Sequence, residues 1–221
     1  MSTPEVLERR RTAEGELVLR RSGEQLELIM NGVFLMSTGN GESERELIRA
    51  VGARGRLLIG GLGAGYSLAA AVREPDVSDV IVVESEADLI AWNDTYFRPY
   101  NEGALDDPKV TVVHADLGDY LDARPSAFDG ICLDTDNGPD WLSRPGNAAL
   151  YGPAGLALLR DLLTPEGKLA VWAAHENAEF AGLLGTVFTS TGTIRIPVER
   201  GPDDVIYVAS MIQDIAGYGD A

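Results

Sequence analysis

Residues Arg56–Glu84 read RLLIGGLGAGYSLAAAVREPDVSDVIVVE. A short apolar strand, Leu57-Leu58-Ile59, runs into the glycine-rich turn Gly60-Gly61-Leu62-Gly63-Ala64-Gly65. Tyr66–Arg73 has helical character, and Val80–Val83 forms a second apolar strand that ends on an acid, Glu84. Strand, glycine turn, helix, strand and terminal acid in this order make a βαβ unit with a nucleotide-binding layout. Glycines let the turn close tightly and the backbone approach a ligand, while the start of the helix offers unpaired N–H groups. An acid at the tip of the second strand, about 20 residues on, is placed to accept hydrogen bonds from ribose hydroxyls. The stretch points to a nucleoside-containing cofactor. A bland alternative has these glycines serve only helix–sheet packing; the parts falling in register together favour the ligand.

Working outward, 221 residues suit one α/β domain with a small appendage. Apolar residues at 45% and charged residues at 24% are ordinary globular values, sufficient for a substantial core. No apolar run reaches bilayer-spanning length, and the start MSTPEVLERRR lacks the apolar region of a signal peptide. The single cysteine, Cys132, lies in an apolar strand-like run, so neither a disulfide framework nor a thiolate metal site is available. These features lead to the expectation of a soluble, cytoplasmic protein without a membrane partner. A net charge of −17 disfavours nucleic acid, which needs a basic face, and is compatible with a cationic substrate such as an amine. Solubility alone accounts for much of such an excess.

Residues 1–13 are charged and read as frayed or loosely helical. Leu17, Leu19, Leu26, Leu28 and Met30 alternate with polar residues, and Asn31-Gly32 is a hairpin turn, so 16–37 reads as a small antiparallel β-appendage. Ser43–Val51 reads as a helix leading into the glycine turn. After Glu84 the pattern gives a helix over Glu86–Phe97, a strand over Val110–Val113, a strand over Phe128–Leu133 and a helix over Gly155–Leu163 ended by Pro165. A strand over Leu169–Ala173, a helix over Ala178–Phe188 and two closing strands, Thr193–Val198 and Val205–Ala209, complete the chain. Alternating strands and helices predict a Rossmann-like α/β sheet, mostly parallel with an antiparallel last strand. The organisation expected is 1–50 as a β-hairpin appendage with a linking helix, and 51–221 as the cofactor-binding domain. In such a sheet ligands sit at the carboxyl ends of the strands, where Glu84, Asp116, Asp134 and Asp136 all fall. Each taken alone reads equally well as a turn-capping or solvated acid.

The segments Leu58–Gly65, Val83-Glu84, His114-Ala115-Asp116 and Phe128–Pro139 (FDGICLDTDNGP) together resemble the class I S-adenosylmethionine-dependent methyltransferase fold. More narrowly they resemble the spermidine synthase (polyamine aminopropyltransferase) family and its spermidine-synthase-like relatives, and so does the appendage carrying Asn31-Gly32-Val33-Phe34-Leu35. The resemblance runs from about Glu16 to Ser210. It implies that Gly60, Gly61, Gly63 and Gly65 pass beneath the methionine part of the cofactor and that Glu84 holds both ribose hydroxyls. Ala115 and Asp116 would lie at the adenine, with Asp116 on its amino group. Asp134 falls where the family keeps the acid facing the reacting amine, so it counts with both the catalytic and the cofactor-binding residues. Asp136 would join it in catalysis, and Asp136 or Asn137 would form the substrate wall. A protonated amine is no nucleophile, so a carboxylate must orient it and accept its proton before attack beside the sulfonium.

Departures from the family pattern accompany the matches. Aminopropyltransferases usually carry an acid inside the glycine turn, as in GGGDGG, to bind the amine end of decarboxylated S-adenosylmethionine; here that position is Gly63. The family's Tyr-His pair is replaced by Glu42-Ser43-Glu44-Arg45-Glu46, and in strict register Asn137 replaces the second acid of the DSSDP-like motif. A turn acid would repel the carboxylate of intact S-adenosylmethionine, and Gly63 removes it. The reading tilts accordingly toward intact S-adenosylmethionine and methyl transfer to a small, amine-bearing acceptor. The first alternative is an aminopropyltransferase using decarboxylated S-adenosylmethionine. The second is a cofactor-binding homologue without turnover. His175 and Tyr151 are placed to line or close the substrate pocket, with capping and helix-start packing as their bland alternatives. NAD binding fits the acidic Asp134–Asn137 loop and the closing antiparallel pair less well. Two distant histidines give no metal signature. Dimers are common in the resembled family, and no apolar stripe in this chain identifies an interface.

Overall fold

Four strands near the start of the chain pair in sequence order as an antiparallel sheet: β1 (Glu5–Thr12), β2 (Gly15–Ser22), β3 (Gln25–Met30) and β4 (Val33–Ser37). The computed structural model describes residues 3–135, 138–139, 147–198 and 201–212. The inward positions of β2 and β3 are Leu17, Leu19, Leu26 and Leu28, all buried. Asn31 and Gly32 adopt φ of 52° and 80°, the left-handed pair that a type I′ hairpin turn needs. Asn31 also ties this turn to the one before it, accepting from the Glu16 N–H at 2.9 Å and donating to the Glu14 carbonyl at 2.8 Å.

β1 corrects the expectation of a frayed or helical start. Its run of Glu and Arg has little strand propensity, and no alternation marks it. It forms because β2 offers an open edge, and its charges are tolerated because the edge faces solvent, where Arg9 pairs with Glu16 and Arg10 with Glu8.

The second sheet has seven strands: β5 (Gly55–Gly60), β6 (Val77–Glu84), β7 (Val110–His114), β8 (Phe128–Leu133), β9 (Leu163–Ala173), β10 (Ser190–Ile196) and β11 (Asp204–Ser210). Their order is β10-β11-β9-β8-β5-β6-β7; β7, β6, β5, β8 and β9 are parallel, and β11 runs antiparallel to both its neighbours. This is the Rossmann-like sheet with an antiparallel last strand that the sequence predicts. β9 starts at Leu163, six residues ahead of the expected Leu169, and carries Pro165 through an irregularity in its pairing with β8. A proline that reads as a helix stop is accommodated there because a bulge needs no ladder N–H from it.

The helices are α1 (Glu42–Ala50), α2 (Tyr66–Arg73), α3 (Ala87–Asn93), α4 (Arg98–Asn101), α5 (Leu117–Asp122), α6 (Ala148–Tyr151), α7 (Pro153–Asp161) and α8 (Ala178–Val187). Alternate residues of the strands feed two cores. Leu57, Ile59 and Cys132 face α1 and α2, whereas Leu58, Ile131 and Leu133 face α5, α7 and α8. A third cluster joins the small sheet to the large one: Leu17, Leu19, Leu26 and Leu28 pack with Ala64, Tyr66, Leu89, Trp92 and Phe97. The small sheet is thereby held over the glycine turn. Among the described residues no helix is long and apolar enough to cross a membrane.

Candidate active site

The strand order reverses between β5 and β8, and the loops that leave the carboxyl ends of β5, β6, β7 and β8 meet there. Backbone hydrogen bonds hold these ends level: Gly61 N–H donates to Val83 O at 2.9 Å, Asp134 N–H to Gly60 O at 2.9 Å, and Ala115 N–H to Glu84 O at 3.1 Å. Gly60, Gly61, Gly63, Gly65, Glu84, Ala115, Asp116 and Asp134 are thus brought to one edge of the sheet. Gly61 has φ of 89°, and a Cβ there would lie 2.3 Å from the Asp134 carbonyl, so a side chain would force the two loops apart.

Glu84 is 7% exposed and already engaged. One carboxylate oxygen accepts from the Leu62 N–H at 2.9 Å, the other from the Glu86 N–H at 2.8 Å. The acid at the strand tip therefore pins the glycine turn that it faces. Asp116 caps α5, its Oδ1 accepting from Gly118 N–H at 2.8 Å and Asp119 N–H at 3.3 Å. His114 Nε2 lies 3.0 Å from the Ser85 carbonyl, a local contact between adjacent strand ends.

On the other side of the glycine turn, α1 brings Glu44 to Asp134. Glu44 is half-buried, and its carboxyl is pushed up to about 8 by burial first and by Asp134 second, with Asp204 adding to both. Asp204 reaches this edge because β11 runs antiparallel, so the start of that strand lies level with the ends of the others. Ser43 Oγ donates to Asp204, and Ser67 Oγ donates to the Glu44 carbonyl at 3.2 Å, fixing the first turn of α1 against both β11 and α2. Tyr66, buried beside the turn, donates to the Thr38 carbonyl at 2.9 Å and has Arg45 4.7 Å from its ring centre. Burial, with Glu44 next, pushes its phenol up to about 12. Burial, with Asp134 second, likewise raises the Cys132 thiol, which points under the site as an inert core residue.

Tyr151 is buried against Phe180, and its hydroxyl lies 3.0 Å from Thr135 Oγ1, where it props the loop leaving β8. His175 is half-buried just beyond β9. Asp136 and Asn137 lie outside the described residues.

Two groups of site residues were not singled out in the sequence. Asn93 and Asn101 are fully buried beneath the turn. Asn93 Nδ2 donates to the Gly63 carbonyl at 2.8 Å, and Asn101 Nδ2 donates to Asn93 at 2.7 and 3.0 Å. Nothing local in the sequence marks such a long-range buttress. Glu44 did leave a signal. It shares the stripe of α1 that carries Leu47, Ile48 and Val51, all buried, an acid at an inward position of an amphipathic helix.

No protein-family model matches the chain. It is 32% identical over 171 residues to a polyamine aminopropyltransferase of Mycobacterium tuberculosis, an overlap covering 74% of this chain and 32% of the relative. It is 34% identical over 182 residues to polyamine aminopropyltransferase 2 of Streptomyces coelicolor, covering 76% of this chain and 31% of that one. The chain thus spans about a third of the length of these curated relatives. Spermidine synthase from Thermotoga maritima superposes with a TM-score of 0.80 at 17% identity, over 98% of this chain and 76% of that one. A spermidine synthase in complex with the transition-state analogue AdoDATO gives 0.81 at 16% identity, over 98% and 77%. At such identities these structures speak for the fold alone.

The relatives overturn the methyl-transfer reading and its intact S-adenosylmethionine, because the curated proteins this chain matches are aminopropyltransferases. The physical weakness of that reading was that it rested on a repulsion removed at Gly63, without any residue assigned to hold the carboxylate of an intact cofactor. Over about three quarters of its length the chain is thus spermidine synthase-like, similar in sequence to polyamine aminopropyltransferases, and its sheet has the class I S-adenosylmethionine-dependent methyltransferase fold.

Proposed function

We propose that this chain carries an aminopropyltransferase site, moving an aminopropyl group from decarboxylated S-adenosylmethionine to an amine of a polyamine acceptor. The observation that carries the reading is the acidic wall at the carboxyl edge of the sheet, Asp134 with Glu44, in a chain whose relatives are polyamine aminopropyltransferases. Carboxylates at this density suit an acceptor that arrives as a cation.

The residues present fit such a donor. A Cβ at Gly63 would meet only Met36 Sδ, 3.6 Å away, so the turn leaves room on that side, and Glu84 offers a carboxylate already fixed at the strand tip. When bound, the donor supplies a sulfonium activated for displacement. Glu84 would accept from its ribose hydroxyls, and Asp116 would lie at its adenine. Asp134 would orient the acceptor amine and take its proton, with Asp136 and Asn137 completing the acceptor wall and His175 at its rim. The freed nitrogen lone pair then attacks the carbon attached to sulfur. The carbon–sulfur bond breaks, and its electrons stay on sulfur as a neutral thioether. Holding amine and carbon in line does much of the remaining work.

The test is calorimetry of decarboxylated and intact S-adenosylmethionine side by side, followed by incubation of the better ligand with 1,4-diaminobutane and mass spectrometry of the products. The reading expects preference for the decarboxylated form and an aminopropylated diamine. A methylated product, or binding of neither cofactor, would overturn it.

A further inference from the structure

α1 carries acids at three positions with two fates. Glu42 and Glu46 turn outward, and both reach Arg49 at 2.9 Å. Glu44 turns inward, onto the stripe formed by Leu47, Ile48 and Val51. Among the described residues its carboxylate accepts from its own backbone N–H and has no ion pair and no hydrogen bond to another side chain; Ser67 holds its backbone carbonyl. Its neighbour Arg45 lies over the Tyr66 ring. Among the described residues, the charged or titratable groups facing Glu44 are Asp134 from the end of β8, Asp204 from the start of β11, Arg45 on its own helix and Tyr66 from α2. Two of these are acids, and none pairs with it.

A half-buried carboxylate set among acids is unfavourable for folding, and the single hydrogen bond to its own N–H offsets only part of that. A leucine would continue the stripe. Such an unfavourable placement is what a binding residue looks like without its ligand. The backbone of Glu44 is fixed by Ser67, and the helix turn by Ser43 and Asp204, so the carboxylate is held in place beside Asp134.

We propose that Glu44 is a substrate-binding residue of the acceptor pocket, pairing with Asp134 to receive an ammonium group of the polyamine. This rests on the aminopropyltransferase reading and deepens it. The role restores a polar acceptor contact on the helix where the family's Tyr-His pair is missing. Near neutral pH Glu44 holds a proton, because burial and Asp134 oppose its charge. An arriving ammonium removes both objections. The carboxyl then gives its proton to solvent and the carboxylate pairs with the cation, so each acceptor bound displaces one proton.

The experiment is titration calorimetry of 1,4-diaminobutane into the full chain loaded with decarboxylated S-adenosylmethionine, in buffers of different ionisation enthalpy, alongside steady-state kinetics. Wild type is expected to release about one proton per diamine near neutral pH, fading as pH rises past about 8. Glu44→Gln is expected to release none, to raise KM for the diamine at least tenfold, and to change kcat much less. Glu44→Asp is expected to recover part of both the affinity and the proton release. Glu44→Gln removes a repulsion and is expected to fold at least as well as wild type. If wild type turns over the diamine and Glu44→Gln matches it in KM and proton count, the role of Glu44 is wrong and the aminopropyltransferase reading stands. If wild type neither binds nor turns over the diamine, both fall.

Discussion

Glu84 and Asp116 use their carboxylate oxygens on backbone N–H groups, one of the glycine turn and three just downstream in sequence. Glu44, on the other side of the same turn, uses its carboxylate on its own backbone N–H alone and faces Asp134 and Asp204. The proposed donor side thus holds acids that the fold itself uses, and the proposed acceptor side holds one set among other acids. On the first side, the proposed binding and stability would draw on the same carboxylates. On the second they oppose each other. That difference can be broken by substitution, since donor-side changes should lower affinity and stability together, whereas acceptor-side changes should separate them.

The largest effect is expected at Asp134. Asp134→Asn keeps the shape and removes the base, so kcat on the diamine should fall by about a hundredfold or more. Stability is followed beside turnover, because a negative charge has left the neighbourhood of Glu44. The pair of measurements is turnover and the denaturation midpoint. Unchanged turnover would remove Asp134 from the chemistry, and a large loss of stability would show that its charge serves the fold after all.

A smaller effect, of opposite pattern, is expected at Glu84. Glu84→Ala deletes acceptors for the Leu62 and Glu86 N–H groups as well as for the ribose. Losing hydrogen bonds to a charged group costs about 1.5–3 kcal/mol, or roughly 10- to 150-fold in donor Kd. The thermal midpoint should drop in parallel because the glycine turn loses its anchor. Affinity falling with the midpoint unmoved would mean that the turn is held by other contacts, with Asn93 as the first candidate.

These two sides also differ in how far the sequence exposes them. The donor side is local. Glycines, the strand-tip acid and the acid after β7 recur at short spacings set by the βαβ geometry, so periodicity and turn chemistry suffice to place Gly60–Gly65, Glu84 and Asp116 at one sheet edge. The inward leucines of the small sheet and the Asn31-Gly32 turn are legible for the same reason. β1 is not, because an edge strand of Glu and Arg is formed by its partner rather than by its own pattern. The acceptor side depends on contacts across long sequence separations. Ser43 meets Asp204 across 161 residues, and Ser67 reaches back 23 residues to Glu44. Such pairings leave no periodic trace. The methyl-transfer reading fails for a different reason: it takes the absence of an acid at Gly63 as a preference for the intact cofactor, with no residue assigned to hold that cofactor's carboxylate. Glu44 was visible as part of the replaced Tyr-His segment, yet only its inward position on α1 gives that replacement meaning.

A pH dependence sharpens the comparison without any ligand. Burial and Asp134 raise the Glu44 carboxyl from 4.5 to about 8 in the folded chain. Between those values the native state holds a proton that the unfolded chain has released. Stability falls with rising pH wherever the native state binds more protons. The contribution of protonated Glu44 is therefore fully present below about 4.5 and is lost as pH rises through about 8. Glu44→Gln is neutral throughout, so its advantage in denaturation midpoint over wild type should grow across that window and level off above it. Glu84→Ala should be less stable than wild type throughout this window. A Glu44→Gln difference that stays constant with pH would mean that Glu44 is ionised in the native state, and the contrast between the two sides of the site would then lose its electrostatic basis.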